Sequence, residues 1–317
     1  MCCPYSLLRV KLKEGNNLMR KYAIPNMRLG ATSFLLHETY VPAVRFAAER
    51  CDDVALLLVE PGEHSEYLAT PGEIAEIGRI IAGESATLHV HLPTDADFDT
   101  WQGARSMIGK IRRVAELTGP LDPHSFVLHV DFPSLYGTGG EPSAEQQEWT
   151  AEALREIAAC LPAPERLAVE NLETYAPSFW DRWLAGTPYS RCLDVGHIWK
   201  DGGDPAPVLA AWLPRVRVIH LHGLEPRGSE ADAAKPQGQQ RAPEKLAERN
   251  LSRLFGPRPR DHKSLRLMPP EFVDDVMHPL WKTGFSGVLN LEVFSVEDFT
   301  ASHAVLMHSW ERYAASS

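Results

Sequence analysis

From Met27 onward, short runs rich in Val, Ile, Leu and Ala alternate with longer stretches in which apolar residues recur every three to four positions. The alternation repeats eight times. The short runs predict strands over 28–33, 53–60, 87–91, 126–131, 166–171, 191–194, 216–222 and 288–294. The longer period predicts helices near 41–50, 71–82, 98–117, 144–160, 177–185, 205–212, 270–283 and 296–312. Two of these open with capping-box spacing, Thr70 with Glu73 and Ser143 with Gln146. Eight βα units in series predict an α/β fold, a single (β/α)8 TIM barrel over 27–317. The competing doubly wound sheet usually carries a glycine-rich phosphate turn after an early strand, and GATSFLL after the first strand is not one.

Two segments stand outside the rhythm. Residues 1–26 read as an N-terminal extension, with Met19 or Met27 as alternative starts. Residues 225–262 form a long insertion with five prolines, too long for a plain connection. PEKLAERNLSRLFG inside it, with Leu246, Leu251 and Leu254, predicts a short helix. Because the insertion follows the seventh strand, it is expected to cover the C-terminal mouth of the barrel, where active sites sit.

The polar residues at the strand ends carry the chemistry. They are His89 and His91 in LHVHLP, His129 and Asp131 in LHVDFP, Glu170 in VENLE, Asp194 and His197 in CLDVGH, His220 and His222 in VIHLHG, and Glu292 in LNLEVF. Several lie two apart with Val90, Val130 or Leu221 between them, so each pair shares one face of its strand. In a barrel the shared face is expected to be the interior. One such residue is ordinarily a hydrogen-bonded core or rim group. The same decoration on six consecutive strands has no structural reason, and buried imidazoles and carboxylates together call for a metal ion. Mixed nitrogen and carboxylate donors suit Zn²⁺, Mn²⁺ or Fe²⁺. Cys192, at the same parity as Asp194, reads as a small buried hydrophobe.

Composition narrows the partners. Thirty-two Lys plus Arg against 42 Asp plus Glu leave a net charge of −10, which argues against a nucleic-acid coat or an anionic membrane surface. The five cysteines have no metal-clamping repeat, and no apolar run has the length of a signal peptide or membrane span. A cytoplasmic protein without a disulfide framework is expected.

The ordered set His91, His129, Glu170, Asp194 with His197, His220, Asp261 with His262, and Glu292 resembles the ligands of the xylose-isomerase-like barrels that include endonuclease IV, the apurinic endonuclease 2 superfamily. One departure is that Asp261 and His262 are directly adjacent, where the endonuclease pattern has one residue between. The blocks DDVALLLVE, LHVHLP, VENLE, CLDVGH, HLHG, DHKSL and LEVF look like the cobamide-remodelling phosphodiesterases. That resemblance implies hydrolysis of the nucleotide-loop phosphodiester of an adenosylated cobamide to a cobinamide phosphate and an α-riboside. It implies two or three divalent ions, Zn²⁺ or Mn²⁺. Glu170 would bridge two of them, with His91 and His129 on one ion and Asp194, His220 and Glu292 on the other. His197, Asp261 and His262 would hold a third ion or grip the phosphate. Glu170, Glu292, Asp194 and His220 are the expected catalytic set. His89, His222, Asp131, Glu60, Arg260 and Lys263 are expected around the substrate or behind the ligands, with Arg258, Trp101, Tyr136 and Trp199 as further candidates.

Three rivals remain at this level. An apurinic-site DNA endonuclease would need a basic surface around the mouth. A sugar isomerase or epimerase typically needs only a pair of Glu, an Asp and a His around one ion. A corrinoid-binding protein would share the pocket without the reaction.

Overall fold

The computed structural model describes residues 22–58, 68–226, 251–256 and 259–316. Ten strands are present among them: β1 (Arg28–Thr32), β2 (Asp53–Leu57), β3 (Thr87–His91), β4 (Phe126–His129), β5 (Leu167–Glu170), β6 (Ser190–Asp194), β7 (Val216–Leu221), β8 (Gly223–Glu225), β9 (Arg260–Lys263) and β10 (Val288–Leu291). Eight of them close into a parallel barrel in the order β1-β10-β7-β6-β5-β4-β3-β2. The expected (β/α)8 barrel is therefore the fold. Helices such as Pro71–Gly83, Ala144–Ala159 and Pro270–Thr283 pack their apolar faces on the outside of the sheet. Both expected capping boxes form, with Thr70 Oγ1 and Ser143 Oγ accepting from the backbone N–H of Glu73 and Gln146. Each acidic or amide partner returns the bond to the capping residue's own N–H.

The strands end one to three residues before most of the expected limits, because the chain leaves the ladder there and turns out over the mouth. Asp131, Asn171, His222 and Glu292 consequently sit in the first turns after strands. Two elements were not foreseen. Asp194 caps a short helix, Val195–Lys200, through Oδ1 on the His197 N–H at 2.7 Å. β8 and β9 pair antiparallel, bringing the end of the insertion back onto the mouth. Of the helix expected in the insertion, Leu251–Phe255 is present, and the rest of the covering segment lies outside the described residues. Residues 22–26, counted with the extension by sequence, pack on the barrel: Tyr22 is buried against Phe299 and His303, and Trp281 Nε1 donates to the Pro25 carbonyl. Among the described residues no helix is long and apolar enough to cross a membrane.

At the opposite end of the barrel, His124 lies between two guanidinium groups, Arg28 at 2.9 Å from Nε2 and Arg217 at 3.2 Å from Nδ1. Burial and these two cations push its pKa down from 6.5 to about 4. The unfolded chain takes up this proton near pH 6.5 while the folded chain refuses it until about 4. Acidification through that window therefore favours unfolding, and above it the ring adds no pH dependence. Denaturant titrations are expected to show a shallower acid loss of stability in His124→Gln than in wild type; parallel curves would contradict this.

Candidate metal centre

Side chains that alternate along the parallel strands fill the barrel interior in layers. Val127, Ala168, Cys192, Val218 and Val288 form one small apolar layer. Two residues further along their strands stand His129, Glu170, Asp194, His220 and Asn290, all buried except the half-buried His129. Register sets His129 beside Glu170 and Asp194 beside His220, so residues distant in sequence become neighbours about 5 Å apart.

Ligand atoms within 4.8 Å of one another form several overlapping groups, His91 with His220 and Glu292 among them, and three of the groups make up a first, a second and a third cluster. In the first, His91 Nε2 and His129 Nε2 lie 3.3 and 3.0 Å from Glu170 Oε2. In the second, His220 Nδ1 lies 2.9 Å from Glu170 Oε1, 3.2 Å from Glu292 Oε2 and 3.9 Å from Asp194 Oδ2. The third gathers His197, His222 and His262. Asp194 borders it, with Oδ2 at 3.7 Å from His197 Nδ1 and Oδ1 at 3.4 Å from His222 Nε2. Glu170 thus joins the first cluster to the second, and Asp194 joins the second to the third.

These groups fit divalent cations. The Nδ1 atoms of His91, His197 and His262 face the backbone carbonyls of Leu92, Asn171 and Glu292 at 2.9, 2.9 and 3.2 Å. Donation of Nδ1–H to those carbonyls leaves Nε2 bare as the ligand atom. Asp194 Oδ2 and the Nε2 atoms of His220 and His222 are buried with no hydrogen-bond partner. Such orphaned atoms are costly unless something binds them. Burial alone would raise Glu170 and Glu292, yet the imidazoles around them hold both carboxyls well below the usual range. Burial likewise opposes the charge on His197, but Asp194 and Glu173 push it up to about 9. His220 is raised well above its usual value, against burial, by Cys192, Glu292 and Glu170. The site demands positive charge, which either protons or metal ions can supply.

Several residues stand elsewhere than expected. Asp261 does not enter the third cluster; its carboxylate pairs with Lys200, and His222 takes the place beside His197 and His262. His222, expected to face substrate, is fully buried. His89 is also fully buried, 2.5 Å from Asp53 on the neighbouring strand, so it lies beneath the mouth and not at its surface. Asp131 accepts from Tyr175 Oη at 2.6 Å. Arg260 and Lys263 lie 3.8 and 3.6 Å from Glu225 across the β8–β9 ribbon. Trp199 is 1% exposed and cannot stack on a ligand, whereas Tyr136 at 51% and Trp101 at 37% can. Tyr136 Oη donates to Glu173 at 3.2 Å, and Arg105 lies over the Trp101 ring. Glu60 and Arg258 lie outside the described residues.

Four residues escaped the sequence reading. Asn171 exchanges two hydrogen bonds with the Asp194 backbone, at 2.8 and 2.9 Å, which ties the ends of β5 and β6 together. Phe294, 40% exposed, stacks on His262. Glu173 and Lys200 pair at 2.8 Å beside His197. The signal was available in part, since Asn171 and Glu173 lie inside VENLE. Gly196 explains the glycine of CLDVGH: a Cβ there would come within 2.0 Å of His222 Cε1.

No protein-family model and no curated protein matches the sequence. Solved structures do share the fold. A xylose isomerase domain protein from Planctomyces limnophilus aligns with a TM-score of 0.61 over 94% of this chain and 99% of its own, at 10% identity. For an L-ribulose 3-epimerase the values are 0.60, 92%, 98% and 14%. For a 3-keto-D-glucoside 4-epimerase from E. coli they are 0.57, 90%, 99% and 12%. The likeness shows a xylose-isomerase-like barrel. Two of these three neighbours are epimerases, and the narrower cobamide branch rests on the sequence resemblance alone.

Because His222 occupies the space a side chain at 196 would need, Gly196→Ala is expected to destabilise the fold by ~1–3 kcal/mol through overpacking. It should also displace His222 from its cluster. Denaturant titration checks the first effect, and an unchanged midpoint would contradict the packing.

Proposed function

We propose that this protein is a metal-dependent phosphodiesterase whose substrate is the nucleotide-loop phosphodiester of a corrinoid. One observation carries the hydrolytic reading: the three donor clusters are contiguous through Glu170 and Asp194. A one-ion isomerase has no use for His91, His129, His197, His222 and His262. Bound divalent ions would polarise phosphoryl oxygens, lower the pKa of a coordinated water and offset charge on the leaving oxygen.

The chain's own residues supply the frame. Glu170 divides its two oxygens between the histidines of the first cluster and His220, so it fixes the spacing of the first two positions. Asp194 borders both the second and the third through Oδ2, 3.9 Å from His220 and 3.7 Å from His197, and its Oδ1 is held by the His197 N–H. Half-buried His129 and partly exposed Glu292 and His262 border the open side, where a phosphodiester must enter. Exposed Phe294 and Tyr136 offer apolar faces at the rim, suited to a large ring system or a base. The formal charge of −10 overstates the repulsion of an anionic substrate, because the clusters' cations would offset part of it. The corrinoid itself is carried by the sequence blocks quoted above.

A second reading has its own support. Glu170, Asp194, His220 and Glu292 are two Glu, one Asp and one His, the set that suffices for a sugar isomerase or epimerase, and two of the neighbours above are epimerases. That reading leaves the first and third clusters without a task.

Metal-loaded protein incubated with adenosylcobalamin, abasic-site DNA and a panel of ketoses, with products identified by mass spectrometry, separates the readings. Cobinamide phosphate and an α-riboside are expected; an epimerised ketose, or cleaved DNA, with intact cobalamin would overturn the proposal. Glu170→Gln and Glu292→Gln are each expected to abolish turnover with the circular dichroism unchanged. Activity within tenfold of wild type would contradict the roles given to these carboxylates.

A further inference from the structure

β9 delivers His262 to the third cluster from the edge of a short antiparallel ribbon. Its ladder with β8 consists of the pairs Gly223 with Lys263 and Glu225 with Arg260, with a shift of register between them. The approach is close, since a Cβ on Gly223 would come within 2.3 Å of the Ser264 carbonyl oxygen. His262 itself has φ +52°, a left-handed conformation that is uncommon outside glycine. Its N–H lies 3.0 Å from His222 Nδ1, and its ring stacks on Phe294 with centroids 4.9 Å apart.

One side chain ties this strand to the barrel from the other flank. Lys200, the last residue of the helix that Asp194 caps, reaches both Glu173 Oε1 and Asp261 Oδ2. Its side chain is about one-fifth exposed, as is that of Glu173, and the Asp261 side chain is about one-quarter exposed. The triad is therefore much drier than a surface pair and correspondingly less screened. Glu173 Oε2 lies 3.5 Å from His197 Nε2, so the triad also touches the third cluster directly. The aspartate that by sequence resembles a metal ligand is thus engaged by a cation, and the residue next to it in sequence carries the imidazole.

We propose that Lys200 is a positioning residue that latches β9 to the barrel and thereby holds His262 in the third cluster, with Asp261 acting as the catch and not as a ligand. The inference rests on the multi-ion reading and adds which residue makes the third position available. It separates two variants that a ligand role for Asp261 would order the other way. Lys200→Met removes the latch, whereas Asp261→Asn keeps an acceptor for the ammonium.

The test is the number of Zn²⁺ equivalents each protein retains after dialysis, read by elemental analysis, with His262→Ala marking the loss of the third position. Lys200→Met is expected to lose the same equivalent as His262→Ala, while Lys200→Arg and Asp261→Asn keep it. Thermal midpoints within a few degrees of wild type establish that the variants fold, and Lys200→Gln replaces Lys200→Met if the latter does not. Retention of the equivalent by Lys200→Met, or its loss in Asp261→Asn, overturns the latch. A wild type that holds a single equivalent defeats the multi-ion reading itself, a result distinct from three equivalents that survive in Lys200→Met.

Discussion

Three carboxylates, the buried Glu170 and Asp194 and the mostly buried Glu292, lie together at the mouth of a closed barrel. Their mutual repulsion and lost hydration must be offset by positive charge close at hand, or the fold would not tolerate them. Everything else at this end of the molecule answers that demand. Six imidazoles surround the carboxylates, and several turn one nitrogen to a carbonyl so that the other faces inward. With protons on the rings the arrangement is satisfied electrostatically but leaves Asp194 Oδ2 and two ring nitrogens unpartnered. Divalent ions would satisfy both the charge and the orphaned atoms.

The barrel achieves this through register more than through any local device. Neighbouring parallel strands bring His129 next to Glu170 and Asp194 next to His220, one layer above the buried apolar side chains of Ala168 and Cys192. Loops then complete what strands begin. Asn171 fastens the end of β5 to β6, Gly196 clears space for His222, and the β8–β9 ribbon carries His262 in from a segment far along the chain. The fold is shared with sugar epimerases, but the number of donors exceeds what one ion can use. That excess separates the hydrolytic reading from fold-level analogy.

Period and parity made the barrel legible in the sequence. A two-residue spacing such as His220-Leu-His222 announces a shared face whatever the neighbouring strands do, and the six decorated strand ends were therefore readable as one mouth. Roles that depend on contacts across elements were not readable. Nothing in DHKSL reveals that Lys200 lies opposite Asp261, or that His222 stands beside His197 and His262. Trp199 follows a strand in sequence, yet the unforeseen helix Val195–Lys200 turns it into the core. Strand limits overshot for a related reason, because apolar residues continue past the last ladder bond into turns that remain buried.

If Glu170 and Asp194 join the three clusters into one centre, bound ions must share these two carboxylates. Diffraction from crystals grown with Zn²⁺, with anomalous differences collected above and below the zinc edge, tests it most directly. Three anomalous peaks are expected, the first two sharing Glu170 and the last two sharing Asp194. A single peak among Glu170, Asp194, His220 and Glu292, with the other imidazoles bare, would contradict it.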